Sequence, residues 1–260
     1  FWPEELGGEL PGCTVWTVGY EAGVTQLGKP GMFIGQRAGS LATQMKHNGL
    51  GSRPIIFVTH SMGGLIVKAL VCDRPSGEFE ELIGNIRGIV FCGTPHSGSA
   101  FASAANVLGN FLKVPKIQKH VKEMCRDEVP LNQMHDRFRA WHKSNPIAIQ
   151  TYAESRRIFG NGILGRLIDL GQVVPRTSAN TGLGDSPFDV DADHLELVKP
   201  HRGDKPLHDT VYLGVLRFIH GVLATTAIHP AEEGTPSLAT ILQLFDSVKV
   251  EITFSKLREP

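Results

Sequence analysis

Ser61 lies in a local pattern that is typical of an activated nucleophile. The largely apolar run 55–59 predicts a buried strand, and the apolar repeat of residues 63–72 predicts a helix. Gly63 and Gly64 follow the turn between them, and such small residues let a strand and a helix approach closely. We therefore predict a nucleophile elbow that projects the Ser61 hydroxyl above a sheet.

The residues beside Ser61 indicate how this hydroxyl would react. The backbone N–H of Met62 and the N-terminal dipole of the helix can stabilise the oxyanion that forms when a serine attacks a carbonyl carbon. Thr59 departs from the pattern, which prefers glycine two residues before the nucleophile. Because its β-branched side chain crowds the turn, we expect a somewhat altered elbow.

A serine nucleophile needs a base within hydrogen-bond reach, and chain position favours His194 among the eleven histidines. It falls in a late loop, after the last strand predicted for the main sheet, at residues 172–174, and before a closing amphipathic helix predicted at residues 207–223. His201 and His208 are nearby alternatives.

A carboxylate that orients the base is expected between the serine and the histidine in the chain. Glu154 directly follows the predicted strand 147–152, which makes it the first candidate. Asp169 is the alternative acid, although the pattern of residues 164–170 is helix-like, and Asp185 stands behind it.

The loop after the predicted strand 86–92 is expected to rim the pocket. Thr94 and His96 in that loop, together with His60 in the elbow, are candidate substrate-binding residues. His96 is not expected to be a second base, because a base one βα unit after the elbow is out of the usual chain order. A structural role is favoured over substrate contact for His96. Neither a metal nor an organic cofactor is implied.

Three segments together resemble a known family: residues 59–68 (THSMGGLIVK), 93–99 (GTPHSGS) and 193–200 (DHLELVKP). They are similar to the serine-active-site esterases, α/β-hydrolases that include the GPI inositol-deacylase-like enzymes and the hydrolase domains at the head of NLR-like proteins. The resemblance covers roughly residues 2 to 222, about the size of one domain. It implies a Ser-His-Glu/Asp triad, with acyl esters or lipids as substrates.

The elements that must position these residues alternate along the chain. Short β-branched or aromatic runs at 14–18, 55–59, 86–92 and 147–152 are separated by helical stretches such as 36–48. This alternation predicts an α/β fold, with a mostly parallel sheet and helices on both faces.

An excursion at about residues 97–145 is predicted to form a helical cap over the pocket. Three helices are expected in it, around residues 99–112, 116–124 and 131–143. A basic stretch between Lys113 and Arg126 could lean toward anionic lipid heads and give peripheral membrane contact, but a solvated helix face is the plainer interpretation.

A strand is expected between the first strand and the elbow strand, because in hydrolase sheets the strand that carries the second oxyanion donor lies there. No such strand precedes Trp2 in the sequence. We therefore expect an N-terminal segment that is absent from this sequence, or that another domain or chain supplies, because unpaired mid-sheet backbone groups are not tolerated.

The sequence divides at about residue 224. Residues 1–224 are predicted to form the hydrolase domain, and residues 225–260 a linker and a C-terminal extension. The linker is rich in Pro, Gly and small polar residues up to Pro236. A short helix and the alternating run 248–254, which is typical of a half-buried strand, follow the linker. These elements could begin a following domain.

Composition limits the other function classes. Lys plus Arg and Asp plus Glu each number 26, so no global field favours nucleic acid. The four cysteines are scattered without a CxxC pair, which disfavours a zinc site and fits reduced thiols in a cytoplasmic protein. No apolar run approaches the roughly 20 residues of a membrane span, and no secretion signal is recognisable.

These patterns predict a serine esterase or lipase-like hydrolase that works through an acyl-enzyme. The alternative is a noncatalytic or dormant interaction domain of a larger signalling protein. An acyltransferase, which uses the same triad but excludes water from the acyl-enzyme, fits the same residues.

Overall fold

The computed structural model describes most of the chain. The described residues are 2–21, 34–73, 77–97, 99, 101, 103–104, 107, 128–161, 167–199, 209–227, 239–247 and 253–256. The strands are β1 (Cys13–Glu21), β2 (Ile55–His60), β3 (Ile86–Cys92), β4 (Ala148–Glu154), β5 (Ile158–Asn161), β6 (Leu167–Gly171), β7 (Phe188–Val190), β8 (Ala239–Ser247) and β9 (Thr253–Lys256). The helices are α1 (Trp2–Glu9), α2 (Ile34–His47), α3 (Met62–Asp73), α4 (Glu80–Gly84, after a 3₁₀ turn at Gly77–Phe79), α5 (Glu128–Ser144), α6 (Arg176–Ala179) and α7 (Asp209–Ala227).

Seven of the described strands form one sheet, in the order β7-β4-β3-β2-β8-β1-β9. Neighbouring strands run parallel, except that β9 runs antiparallel to β1 at one edge. The other two, β5 and β6, form a separate antiparallel hairpin. The prediction of an α/β fold with a mostly parallel sheet is confirmed.

The elbow strand β2 is buried on both faces because it lies deep in the sheet. Ile55 and Phe57 belong to the core on the side of α2, α3 and α5. Ile56 and Val58 belong to the core on the side of α1 and α7. A continuous apolar run, rather than an alternating one, is what a strand covered by helices on both faces requires.

Helix α7 shows how the covering helices are held. Its buried side chains Val211, Val215, Ile219 and Val222 recur every three or four residues and are at most 5 % exposed. This spacing places them on one face of the helix, against the sheet.

The candidate residues meet at one edge of the sheet because parallel neighbours end together. His60 at the end of β2 pairs with Cys92 at the end of β3, and Cys92 pairs with Tyr152 near the end of β4. The elbow, the loop after β3 and Glu154 therefore share the carboxyl edge of the sheet, where α/β proteins usually bind ligands.

The gap expected between the first strand and the elbow strand is occupied by β8. This strand pairs with β1 from Cys13 to Glu21 on one side and with β2 from Ile55 to Thr59 on the other. The sequence predicts a C-terminal extension at these residues, beginning with a short helix. Their backbone instead lies in the middle of the sheet, parallel to both neighbours.

Two further local predictions were wrong. Residues 164–170 were expected to be helix-like, but Leu167–Gly171 forms β6, whose pairing with β5 determines its conformation. Residues 172–174, expected to be a strand, are bends and irregular backbone after β6.

Part of the predicted cap is described. Helix α5 covers the third predicted helix, whereas the basic stretch and the predicted helix 116–124 lie outside the described residues. The linker from residue 228 onward, His201 and His208 also lie outside them. Among the described helices, none combines the length and the apolar character that a membrane span requires.

Candidate functional site

The turn at Ser61 has a strained backbone that presents its hydroxyl. Ser61 has φ +51°, a left-handed conformation that non-glycine residues adopt at a cost of roughly 1–3 kcal/mol. Its N–H donates to the carbonyl of Cys92 at 2.9 Å, and its carbonyl accepts from the N–H of Gly64 at 3.3 Å. Strand β2 ends one residue before it and α3 begins one residue after it. The hydrogen bonds at both ends hold the strained turn in place.

The close approach predicted for the elbow is present at Gly64. A Cβ atom built there would lie 2.3 Å from Oγ1 of Thr94, so only glycine fits without displacing the loop after β3. Thr59, the departure from the usual pattern, is fully buried, and its hydroxyl donates to the carbonyl of Val90 on the neighbouring strand at 2.8 Å. The buried hydroxyl of Thr59 is thus satisfied by a hydrogen bond to the neighbouring strand.

Ser61, His194 and Glu154 form one chain of hydrogen bonds. Nε2 of His194 lies 3.0 Å from Oγ of Ser61, and Nδ1 lies 2.9 Å from Oε2 of Glu154. With Glu154 ionised and the imidazole neutral, Nδ1–H donates to the carboxylate and Nε2 accepts from the serine hydroxyl. The side chains of His194 and Glu154 are at most 1 % exposed, and Ser61 is 5 % exposed.

The Glu154 carboxylate is held from its second oxygen as well. Oε1 accepts the backbone N–H of Val174 at 2.6 Å, and the side chain of Gln172 donates to the Glu154 carbonyl. A buried carboxylate with partners on both oxygens has a fixed orientation. The segment after β6, which sequence analysis had assigned to a strand, therefore serves to hold this acid.

The loop that carries His194 is tied down at several atoms. Oδ1 of Asp193 accepts the N–H groups of Leu195 and Glu196, both at 2.9 Å, which closes a tight turn around His194. The His194 carbonyl accepts from Nε2 of His60 at 2.9 Å. The N–H of Arg156, just after β4, donates to the carbonyl of Ala192 at 3.1 Å.

Gly93, at the start of the loop after β3, lies against both the acid and the base. Its φ is +55°, and a Cβ atom there would lie 3.0 Å from both Oε2 of Glu154 and the ring of His194. Any side chain at this position would push against the acid and the base together.

The alternative acids lie elsewhere. The Asp169 carboxylate is 43 % exposed on β6, where it pairs with Nε of Arg157 at 2.9 Å and accepts the Gly171 N–H. Asp185 is exposed in the segment before β7. Neither carboxylate contacts His194, whereas Glu154 does.

The residues considered for substrate binding are all buried. His60, Thr94 and His96 are 5 %, 0 % and 3 % exposed. His60 contacts His194, and their ring centroids are 4.7 Å apart. His96 packs edge-on against Phe91 and stacks on His135. Substrate contact by these residues stays a prediction, and so does the oxyanion role of the Met62 N–H at the start of α3.

Sequence analysis missed a buried amine next to this site. Lys68 on α3 is fully buried, and its Nζ donates to Nδ1 of His135 on α5 at 2.8 Å. The Nζ also lies 5.2 Å and 5.9 Å from the ring centroids of Phe138 and Phe91. The signal was a single lysine within the otherwise apolar run of α3.

Burial determines the protonation of the cluster formed by Lys68, His135 and His96. It lowers the pKa of Lys68 to about 7. Burial and then the charge of Lys68 lower the pKa of His135 to about 4, and they hold the pKa of His96 well below its usual range. The cluster therefore carries at most one proton charge near neutral pH, on Lys68. Among the described residues, no group of three or more His, Cys, Asp or Glu side chains is arranged to hold a metal.

The fold and this geometry define an α/β protein with a buried Ser-His-Glu hydrogen-bond chain at the carboxyl edge of its sheet. The chain is similar to Protein SERAC1, with 32% identity over 230 residues to the protein of Danio rerio and 30% over 230 residues to that of Homo sapiens. The matches cover 85% and 86% of this chain, but it spans only about a third (33%) of the length of these relatives. No family model matches the chain, and no solved structure matches it.

Proposed function

We propose that this chain is a serine hydrolase domain of the SERAC1 family, an α/β-hydrolase that cleaves carboxylic esters. The observation that carries the proposal is the hydrogen-bond chain from Ser61 through His194 to Glu154, built on a left-handed turn between a strand and a helix. The 30–32% identity to Protein SERAC1 over most of the chain supports it.

In the proposed reaction, Nε2 of His194 takes the hydroxyl proton as Oγ of Ser61 bonds to the ester carbonyl carbon. Glu154 accepts from Nδ1–H and stabilises the imidazolium that forms. The Met62 N–H and the α3 dipole stabilise the oxyanion. The imidazolium then protonates the leaving alkoxide, and water releases the acid from the acyl-enzyme in a second, equivalent step.

We propose lipids or other acyl esters as the substrate class. The family resemblance favours them, and the sequence places a basic stretch within the insertion at residues 113–126. In addition, the hairpin formed by β5 and β6, the next two strands after Glu154 in the chain, exposes Phe159 and Ile168, each 51 % accessible. Exposed apolar side chains suit contact with acyl chains or with a membrane surface, and peripheral contact with a membrane is part of this proposal.

Hydrolysis of p-nitrophenyl esters with acyl chains of increasing length tests the proposal. We expect wild-type protein to release p-nitrophenol and Ser61→Ala to lose this activity. Ser52→Ala, which alters an exposed serine, serves as the matched control. Equal activity of wild type and Ser61→Ala would contradict the proposal.

A second candidate function is a noncatalytic or dormant interaction domain. The observation that favours it is the burial of the site, since Ser61 is 5 % exposed and His194 and Glu154 are each 1 % exposed. A folded wild-type protein that cleaves none of these esters would support this alternative.

A further inference from the structure

We propose that His60 is a positioning residue. Its ring holds the backbone of His194 by a hydrogen bond, and this bond positions the His194 imidazole relative to Ser61. The inference rests on the proposed hydrolase function and adds a residue to that site. It replaces the substrate-binding role that the sequence suggested for His60.

The contact has a single chemical interpretation. Nε2 of His60 lies 2.9 Å from the carbonyl oxygen of His194. A carbonyl only accepts, so Nε2 carries the proton and donates. Both residues are buried, at 5 % and 1 % exposure, so water does not replace the bond readily if the donor is lost.

Because His60 is adjacent to Ser61 in the chain, this hydrogen bond fixes the distance between the His194 backbone and the serine. His60 precedes Ser61 directly, whereas His194 arrives from a loop 133 residues farther along the chain than the serine. The bonds of the Asp193 carboxylate shape that loop from within, and the Arg156 N–H ties it to the end of β4. Among the described residues, His60 is the group that joins the His194 backbone to the strand carrying the nucleophile.

The charge state of His60 suits this role. Its ring centroid is 4.7 Å from that of His194, so a second positive charge there would oppose the imidazolium formed during the reaction. Burial, and then the neighbouring His194, hold the pKa of His60 well below its usual range. His60 therefore stays a neutral donor while His194 takes up and releases its proton.

Two amide variants separate the hydrogen bond from the bulk of the ring. A glutamine amide nitrogen reaches about as far as histidine Nε2, whereas an asparagine amide nitrogen stops near the position of Nδ1. His60→Gln can therefore donate to the His194 carbonyl, and His60→Asn cannot reach it. The two variants differ by one methylene and carry the same chemical group.

The experiment measures labelling of wild type, His60→Gln, His60→Asn and Ser61→Ala by a fluorophosphonate, recording both the second-order rate constant and the final labelled fraction. We expect His60→Asn to label about 10²-fold more slowly, the loss typical of a base displaced by about 1 Å, and to reach the wild-type final fraction. His60→Gln should be labelled at least about tenfold faster than His60→Asn.

Each other outcome has a distinct meaning. A wild-type rate for His60→Asn, or equal losses in both amide variants, would overturn the positioning role while leaving the hydrolase proposal standing. A lower final fraction at an unchanged rate constant would show that His60 serves folding alone, which also overturns the role. Wild-type protein that is not labelled at Ser61 would overturn the hydrolase proposal, and this inference with it.

Discussion

Replacing Lys68 with methionine is expected to change how the stability of the fold depends on pH. Lys68 is fully buried, and its one hydrogen-bond acceptor among the described side chains is Nδ1 of His135. Methionine has a similar length and no amine, so the variant keeps most of the packing against Phe91 and Phe138. It loses the bond to His135 and the cost of burying a charge.

The magnitude follows from the lowered pKa of Lys68, about 7 against an ordinary value of 10.5. Between these values the unfolded chain binds one proton more than the folded chain, so the free energy of unfolding rises with pH. The slope approaches about 1.4 kcal/mol per pH unit, and the full range amounts to roughly 4–5 kcal/mol. Below about pH 7 both states are protonated and the whole cost is present.

Urea denaturation of both proteins from about pH 6.5 to about pH 9.5, with reductant present for the free cysteines, checks this prediction. The variant should be more stable relative to wild type at the acidic end, and this difference should shrink as the pH rises. Lys46→Met, which removes an exposed lysine from α2, controls for the loss of one lysine charge. A difference that is constant, or that grows with pH, would refute the reasoning about the buried amine.

The remaining predictions concern the acid, the loop and the sheet. Glu154→Gln should lower ester hydrolysis by about 10⁴-fold, because the amide cannot orient the base correctly. Asp169→Asn should leave the rate of hydrolysis close to wild type. Equal losses in the two variants would contradict the assignment of the acid. Gly93→Ala should lower both activity and melting temperature, because its Cβ meets Glu154 and His194 at 3.0 Å. Gly49→Ala, with φ +69° and nothing within 4 Å of its Cβ, should lower only the melting temperature. Removal of residues 238–260 should abolish the cooperative unfolding transition measured by circular dichroism, because β1 and β2 lose their shared neighbour. An unchanged transition would show that β8 is dispensable.

The elbow could be predicted because its determinants are local. A buried strand, a turn with small residues and an apolar helix follow one another within residues 55–73, so the sequence window contains the whole motif. Glu154 could be located for a similar reason, since it ends a strand that neighbours β3 at the edge where the elbow lies. For the base, chain position favoured the region of His194, His201 and His208, and the family resemblance selected His194 within it.

The position of β8 could not be predicted, because parallel pairing between segments more than 170 residues apart leaves no local signal. The residues that form β6 were misassigned for a related reason. Their spacing of leucines fits a helix, but the hydrogen bonds to β5 select a strand. The role of Val174 in holding Glu154 depends on the same misassigned segment, so it could not be foreseen either.

The central claim is that the Ser61 hydroxyl is an activated nucleophile. Peptide mass spectrometry after treatment with a fluorophosphonate tests it most directly, because the reagent forms a stable bond to the oxygen of such a serine. We predict one adduct per folded molecule, located on Ser61 and lost in His194→Gln. A folded protein that carries no adduct, or that carries it on a different serine, would contradict this account.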